Sequence, residues 1–240
     1  VRYLLSSVIP SGYTELKCIN NDMTMRRSER LMEIFTRVAR EHNFTWWADY
    51  GMLLGAVRDG HLLPWDKDMD GAFHVEDQWK LPGLDAPLRK EGLAVHELTV
   101  CYLEDLEQVK KDGELVVARL ELFPMLQTAE GVVLRVDLQK AYKDHSIKGW
   151  FWWKLLTWTK TTNFEFASEM FPLGSVTLRA TPPTEMDPVA ADTPQSLKQH
   201  APDPSWTLSL PAPKLSDVYL ERLYGSGWRT PRKWKLSCYV

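Results

Sequence analysis

Three aspartates alternate with other residues ahead of an apolar segment, and this pattern limits what the chain can fold into. Asp66, Asp68 and Asp70 precede Gly71-Ala72-Phe73. Because side chains two residues apart project from the same face of an extended strand, the spacing predicts a strand with three carboxylates on one face. Such crowding is unfavourable unless a cation lies between the carboxylates. The pattern therefore predicts a site for a hard divalent ion such as Mg²⁺, with a solvated acidic strand or turn as the alternative.

Two other segments point to the same chemistry. The run Tyr50-Gly51-Met52-Leu53-Leu54-Gly55 places glycine at a predicted strand-to-helix junction, where backbone N–H groups and the positive helix end favour a phosphate. Asp137 lies within an apolar predicted strand, where an unpaired charge would be strongly unfavourable. Together with the aspartate pattern, these features indicate a metal-dependent site that acts on a phosphate.

Hydrophobic periodicity predicts both helices and strands around these motifs. Residues 26–42 read as an amphipathic helix, and prolines concentrate in residues 181–213, which predicts a long loop. The other predicted elements are a strand over 44–48, a short helix over 52–58, a helical stretch over 76–91 broken at Pro82-Gly83, strands over 93–103, 114–123 and 131–138, and a helix over 215–223 that ends at Gly225.

Charge argues against nucleic acid as a partner, and hydropathy argues against a transmembrane segment. Asp and Glu number 32 against 29 Lys and Arg, giving a net charge of -3, so the sequence does not favour nucleic acid. No stretch approaches the ~20 uninterrupted apolar residues of a membrane span, and we expect no transmembrane segment in this chain. Because it begins at Val1 without a signal segment, we expect a processed or trimmed chain that lacks its targeting region.

A longer run carries a family resemblance. From Asp49 to Asp70 it reads Asp-Tyr-Gly-Met-Leu-Leu-Gly-Ala-Val-Arg-Asp-Gly-His-Leu-Leu-Pro-Trp-Asp-Lys-Asp-Met-Asp. It resembles the signature of the LicD family, which includes bacterial phosphocholine transferases and the animal fukutin-related protein. The close similarity covers about residues 30–75, with weaker echoes at Phe171-Pro172-Leu173 and at Tyr224-Gly225.

The resemblance implies a single LicD-like catalytic domain over residues 1–240, of the α+β class, with a nucleotidyltransferase-like mixed sheet flanked by helices. It implies transfer of a phospho-alcohol group (phosphocholine, ribitol phosphate or glycerol phosphate) from a CDP-activated donor to a hydroxyl of a glycan or glycolipid. Alternatives are an inactive relative that binds nucleotide or glycan, and a nucleotidyltransferase that adds NMP to an acceptor. The expected location is the secretory pathway, in the Golgi lumen, or the cytoplasm in a bacterium.

The resemblance also assigns roles to residues. The acid-apolar-acid pair fits Asp68 and Asp70, which would hold Mg²⁺ or Mn²⁺, while Asp66 would bind a second metal or water. Asp137 would complete the site or take the acceptor proton, although Leu138-Gln139 departs from the family's usual Asp-aromatic-Pro-like run. The predicted cofactor-binding residues are Gly51, Met52 and Arg58. Met52 stands where the family commonly has Ser or Thr, and Arg58 would reach a phosphate or pair with Asp59 or Asp66.

The 11 tryptophans fall into two groups. Trp46, Trp47 and Trp65 flank the motifs, and we expect them to support the catalytic strands. A second group lies outside the signature and is the candidate surface for the glycan or glycolipid acceptor, since indoles stack on sugars and sit at membrane interfaces. Its members are Trp150, Trp152, Trp153 and Trp158.

Overall fold

A long helix opens the part of the chain that the computed structural model describes, which comprises residues 22–66, 68–106, 118–135, 164–182 and 205–231. Helix α1 spans Asp22–Glu41. Leu31, Ile34, Phe35 and Val38, which recur every three or four residues, are all buried. This apolar stripe packs α1 onto the core, as the helix predicted over 26–42 requires.

A short strand and a short helix follow, joined by a sharp turn. Strand β1 spans Trp46–Ala48, and helix α2 begins two residues later, over Tyr50–Leu54. The Asp49 side chain accepts a hydrogen bond from the Tyr50 backbone N–H at 2.8 Å, which caps the helix. A π-helical turn over Gly55–Asp59 continues α2, and Gly60 ends it at a φ of 78°. The helix predicted over 52–58 is thus present, in two geometries and from an earlier start.

In the described part of the chain, most strands belong to one mixed sheet of seven. After β1 these are β2 (Met69–His74), β3 (Leu93–His96), β4 (Thr99–Tyr102), β5 (Arg119–Gln127), β6 (Val132–Arg135) and β7 (Phe164–Phe166). The strands β1, β2, β5, β4 and β3 are successive neighbours, β6 pairs with β5, and β7 pairs with β6. Strands β2 and β5 pair in parallel, and the other neighbours are antiparallel. Helices accompany the sheet, so the predicted α+β class with a mixed sheet is confirmed.

The predicted elements over 93–103 and 76–91 are each divided in two in the structure. The single strand predicted over 93–103 is a hairpin of β3 and β4, because Glu97 adopts a left-handed φ of 55° and turns the chain back. The helical stretch predicted over 76–91 is a 3-10 helix over Val75–Leu84 followed by helix α3 over Asp85–Lys90. Pro82 lies inside the 3-10 segment and does not break it.

The proline-rich segment is not a loop throughout. Strand β8, Gly174–Arg179, pairs with β9, Thr207–Ala212, in a separate antiparallel ladder. The predicted loop over 181–213 is therefore wrong at its C-terminal end, while residues 183–204 lie outside the described part of the chain. A short helix α4, Ala167–Met170, precedes β8.

The last described helix packs against α2, the helix that carries the glycine motif. Helix α5 spans Ser216–Tyr224 and ends at Gly225, as predicted, with Tyr219 and Leu220 buried. It contacts α2, and its buried residues join the core that contains the buried side chains of α1 and β2. Among the helices described, none is long and apolar enough to cross a membrane.

Candidate active site

Three acidic residues occupy neighbouring positions across the successive strands β1, β2 and β5. The parallel pairing of β2 with β5 sets Asp70 opposite Glu121. Asp49 follows the last residue of β1, and its backbone N–H donates to the Asp70 carbonyl at 2.9 Å. Because residues opposite each other in a sheet project from the same face, this acidic row of Asp49, Asp70 and Glu121 crosses the sheet on one face.

The arrangement of the aspartate triplet beside this row differs from the predicted arrangement. Strand β2 begins at Met69, so only Asp70 lies on the strand. Asp66 follows the turn at Pro64-Trp65, and its N–H donates to the Leu63 carbonyl at 3.1 Å. The prediction that one extended strand carries all three carboxylates on one face is wrong, because the turn places Asp66 before the strand. Asp66 and Asp68 nevertheless remain close enough to act electrostatically on Asp70.

Crowding and burial determine the protonation of Asp70. Burial is the largest cause that raises the pKa of its carboxyl, and the negative charges of Asp68, Asp49 and Asp66 act in the same direction. With the opposing charge of Arg135 included, the pKa is about 8. Burial also raises the pKa of Asp49, against the Tyr219 hydrogen bond and the Arg135 charge. The row therefore holds less negative charge than its residues could carry. A bound cation would favour the ionised form of these carboxyl groups.

Arg119 is one cation present next to this row. Its Nη2 lies 2.7 Å from Asp68 Oδ2, and its Nε lies 2.8 Å from Glu121 Oε1. Burial raises the pKa of the Asp68 carboxyl, Arg119 lowers it, and the Glu121 charge raises it. Arg119 thus links the aspartate that precedes β2 to the glutamate on β5.

The glycine motif lies directly against the triplet. A Cβ placed on Gly51 would overlap Asp66 Oδ2, so the absence of a side chain at Gly51 gives the Asp66 carboxylate its position at the start of α2. Met52, in contrast, is 2 % exposed and belongs to the core. Its side chain is therefore a packing element beside the site.

Arg58 forms an ion pair with Asp59, which is one of the two alternatives predicted for it. Its guanidinium binds both carboxylate oxygens of Asp59, with Nε–Oδ1 at 2.9 Å and Nη2–Oδ2 at 2.8 Å. The side chain is 5 % exposed, and its Cζ lies 6.0 Å from the centre of the Trp65 ring. A direct role of Arg58 in phosphate binding stays a prediction.

The carboxylates that converge here are hard oxygen donors, the type that Mg²⁺ and Mn²⁺ prefer. Asp66, Asp68, Asp70 and Glu121 supply them, and the negative charges of Asp66 and Asp68 act on Asp70. Among the described residues, no group of three His, Cys, Asp or Glu side chains has the arrangement of a formed metal site. The donor chemistry thus fits a divalent cation, while two of the carboxylates are bonded to Arg119.

Several residues of the site were not predicted. Glu121 alternates with the buried Leu120 and Leu122 on β5, the same signal of a charge in an apolar strand that drew attention to Asp137. Asp137 itself lies outside the described residues. Asp49 was seen only as the start of the motif, and its burial could not be read from its neighbours.

Helix α5 adds two tyrosines to the site. The Tyr219 hydroxyl donates a short hydrogen bond to Asp49 Oδ1 within the core. Burial raises the pKa of Tyr224 above its usual range, and the charges of Asp70, Asp49 and Asp66 act in the same direction. Both residues are more than 140 positions from the motif, and no local pattern connects them to it.

The tryptophans of the motif support the site as predicted. Trp46 and Trp47 are buried in β1, and Trp65 is partly buried against the same core. The other group, Trp150, Trp152, Trp153 and Trp158, lies outside the described residues.

Comparison with known families agrees with this geometry. Residues 43–181, more than half of the chain, match the family described as LicD/FKTN/FKRP, nucleotidyltransferase domain. The match contains the glycine motif, the aspartate triplet and Glu121. No curated protein matches the chain significantly. The extent of the family match, on a mixed sheet with this acidic row, shows that the chain belongs to the LicD family.

Proposed function

We propose that this LicD-family transferase moves a phospho-alcohol group from a CDP-activated donor to a hydroxyl of a glycan or glycolipid, with Mg²⁺ or Mn²⁺ as its cofactor. Phosphocholine, ribitol phosphate and glycerol phosphate are the candidate groups. The observation that carries the proposal is the acidic row beside Asp66 and Asp68, at the start of α2. Such a set of oxygen donors suits a metal-bound diphosphate, which uncharged surroundings would not hold.

The reaction forms one phosphorus–oxygen bond and breaks another. The acceptor hydroxyl oxygen attacks the phosphorus that carries the alcohol, the bond to the bridging diphosphate oxygen breaks, and CMP leaves with the bridging oxygen. A divalent ion would offset the charge that develops on the phosphoryl oxygens and on the leaving group. The acceptor proton passes to a carboxylate, a role that we assign to the acidic row or to Asp137.

The residues of the chain position these groups. Asp68, Asp70 and Glu121 would hold the cation, with Asp66 next to it. Gly51 leaves room for the Asp66 carboxylate, and Asp49 is fixed in place by Tyr50 N–H and Tyr219. The chemistry therefore depends on orientation and charge, which contribute most of the catalysis in phosphoryl transfer.

The acceptor surface and the compartment are further parts of the proposal. The tryptophan group at 150–158 would contact the glycan or glycolipid, and the enzyme would act in the Golgi lumen, or in the cytoplasm in a bacterium. Trp152→Ala together with Trp153→Ala should lower acceptor use and spare donor binding. Unfolding of this double variant would assign both residues to the core instead.

The leaving group tests the reaction class. Purified protein with Mg²⁺ is given CDP-ribitol, CDP-choline or CDP-glycerol, and release of CMP is measured by chromatography. Asp68→Asn and Asp70→Asn should abolish CMP release and weaken Mg²⁺ binding, whereas Asp217→Asn, an aspartate with a 62 % exposed side chain on α5, should change neither. Release of pyrophosphate from a nucleoside triphosphate would indicate NMP transfer, and binding without turnover would indicate an inactive relative.

A further inference from the structure

An arginine lies next to the acidic row and is held by two aromatic rings. Arg135 is on β6 opposite Met125 of β5. Its Cζ is 3.3 Å from the centre of the Phe123 ring and 4.4 Å from the centre of the Tyr50 ring. The centres of the two rings are 6.3 Å apart. The guanidinium is therefore in contact with both rings, one from β5 and one from the first turn of α2.

The charge of Arg135 acts on the site. Burial raises the pKa of both Asp49 and Asp70, and the positive charge of Arg135 opposes this rise. Phe123 follows Glu121 by two residues on β5, so its ring lies on the face of the sheet that carries the acidic row. Arg135 thus places a positive charge beside the carboxylates without belonging to their row.

Two other arginines near the site form ion pairs with carboxylates. Arg119 pairs with Asp68 and Glu121, and Arg58 binds Asp59 through two atoms. In the ion pairs formed between residues that the structure describes, Arg135 does not take part. Stacking occupies the face of a guanidinium, while its N–H donors point outward in the plane, where they can bind an oxyanion.

We propose that Arg135 binds the diphosphate of the donor, donating from its guanidinium to non-bridging phosphate oxygens beside Asp70. The acidic row repels an anionic donor, and a cation held next to it offsets this repulsion. The Tyr50 and Phe123 rings restrict the side chain, which reduces the rotamer freedom lost when the diphosphate binds. This inference rests on the proposed function, because it places a diphosphate in the same site.

Inorganic pyrophosphate with Mg²⁺ is the probe, and its dissociation constant is measured by calorimetry. Arg135→Gln should raise this constant roughly tenfold to a hundredfold, the loss typical of a hydrogen bond between charged partners. Arg135→Lys, which keeps a point charge and loses the planar fork, should give a smaller rise. Arg89→Gln removes an arginine with a 48 % exposed side chain from α3 and should change nothing.

Thermal unfolding and near-UV circular dichroism separate binding from packing. A purely structural role would lower the melting temperature of Arg135→Gln and leave its pyrophosphate affinity unchanged, and this outcome would overturn the inference. The inference would also fall if the unmodified protein did not bind pyrophosphate. If Arg135→Gln does not fold, Arg135→Lys decides, and an unchanged affinity in that variant would likewise overturn it.

The probe also separates this inference from the proposed function. Pyrophosphate carries no alcohol, so Arg135-dependent pyrophosphate binding without CMP release from any CDP-alcohol would uphold the inference and contradict the transfer reaction. CMP release by the unmodified protein, combined with pyrophosphate affinity that is equal in Arg135→Gln, would uphold the reaction and contradict the role of Arg135.

Discussion

Asp70 on β2 lies directly opposite Glu121 on β5, because the two strands run parallel and pair these residues in register. This relationship joins two segments that are far apart in the sequence into one set of oxygen donors. Arg119 adds to it, since it binds Glu121 on its own strand and Asp68 ahead of β2. Glu121 is thus the described residue that extends the aspartate motif onto a neighbouring strand.

Glu121→Gln tests this extension. The variant keeps the size of the side chain and removes the charge, so we expect CMP release to fall about 100-fold, within the range for loss of one electrostatic contact to a reacting group. The measurement is the rate of CMP release at saturating Mg²⁺. Glu130→Gln, in the exposed turn between β5 and β6, is the matched control and should retain full activity. Full activity of Glu121→Gln would remove Glu121 from the site.

The raised pKa of Asp70 predicts a dependence of stability on pH. In the folded protein this pKa is about 8, against an ordinary value of 3.8, so the native state holds a proton that the unfolded chain releases between these two values. Asp70 therefore lowers the free energy of unfolding progressively as the pH rises from about 4 to 8, and no further above that. Below pH 4 the carboxyl is protonated in both states and has no such effect.

Asp70→Asn removes this titration. Without divalent ions, we expect the variant to become more stable than the unmodified protein as the pH rises from 5 to 8, by on the order of a few kcal/mol. Urea unfolding at pH 5, 6, 7, 8 and 9 measures the difference, in which the titrating groups remote from Asp70 cancel. A difference that stayed constant from pH 5 to 8 would show that Asp70 titrates normally.

Some elements were predictable because their signal is local. The stripe on α1, the Gly225 end of α5 and the glycine at the start of α2 depend on residues within a few positions of one another. The motif itself also named Asp68 and Asp70 correctly as neighbours in space. Periodicity failed at Asp66, because the turn at Pro64-Trp65 intervenes before β2 begins.

The rest of the site depends on contacts between distant parts of the chain. Which strand pairs with β2, and in which register, decides whether Glu121 meets Asp70, and no pattern within β5 contains that information. Tyr219 of α5 meets Asp49 only because the helix packs against α2. The hairpin of β3 and β4 was not predicted for a different reason. Its turn depends on Glu97, which adopts a left-handed conformation that is uncommon for a residue with a side chain.

Gly51→Ala tests the close approach of α2 to the aspartate triplet. A Cβ at this position would overlap Asp66 Oδ2, so the carboxylate must move, while alanine itself favours the helix. We expect a loss of CMP release of about tenfold or more with little change in melting temperature. Gly83→Ala, where a Cβ meets nothing within 4 Å, is the control and should leave both unchanged. Normal turnover in Gly51→Ala would show that the position of Asp66 does not matter.

Tyr219→Phe tests how α5 holds Asp49. Asp49 is fully buried, its Oδ1 accepts from the Tyr219 hydroxyl, and its Oδ2 has no hydrogen-bond partner among the described residues. Removing the hydroxyl leaves the buried carboxyl with fewer donors, so we expect the free energy of unfolding to fall by about 1–3 kcal/mol. The same change in an Asp49→Asn background should cost less at a pH where the Asp49 carboxyl is ionised, because a hydrogen bond to a charged acceptor is stronger than one to an amide oxygen. Urea unfolding of the two single variants and the double variant gives the coupling energy. A coupling near zero would mean that Tyr219 stabilises α5 by packing alone.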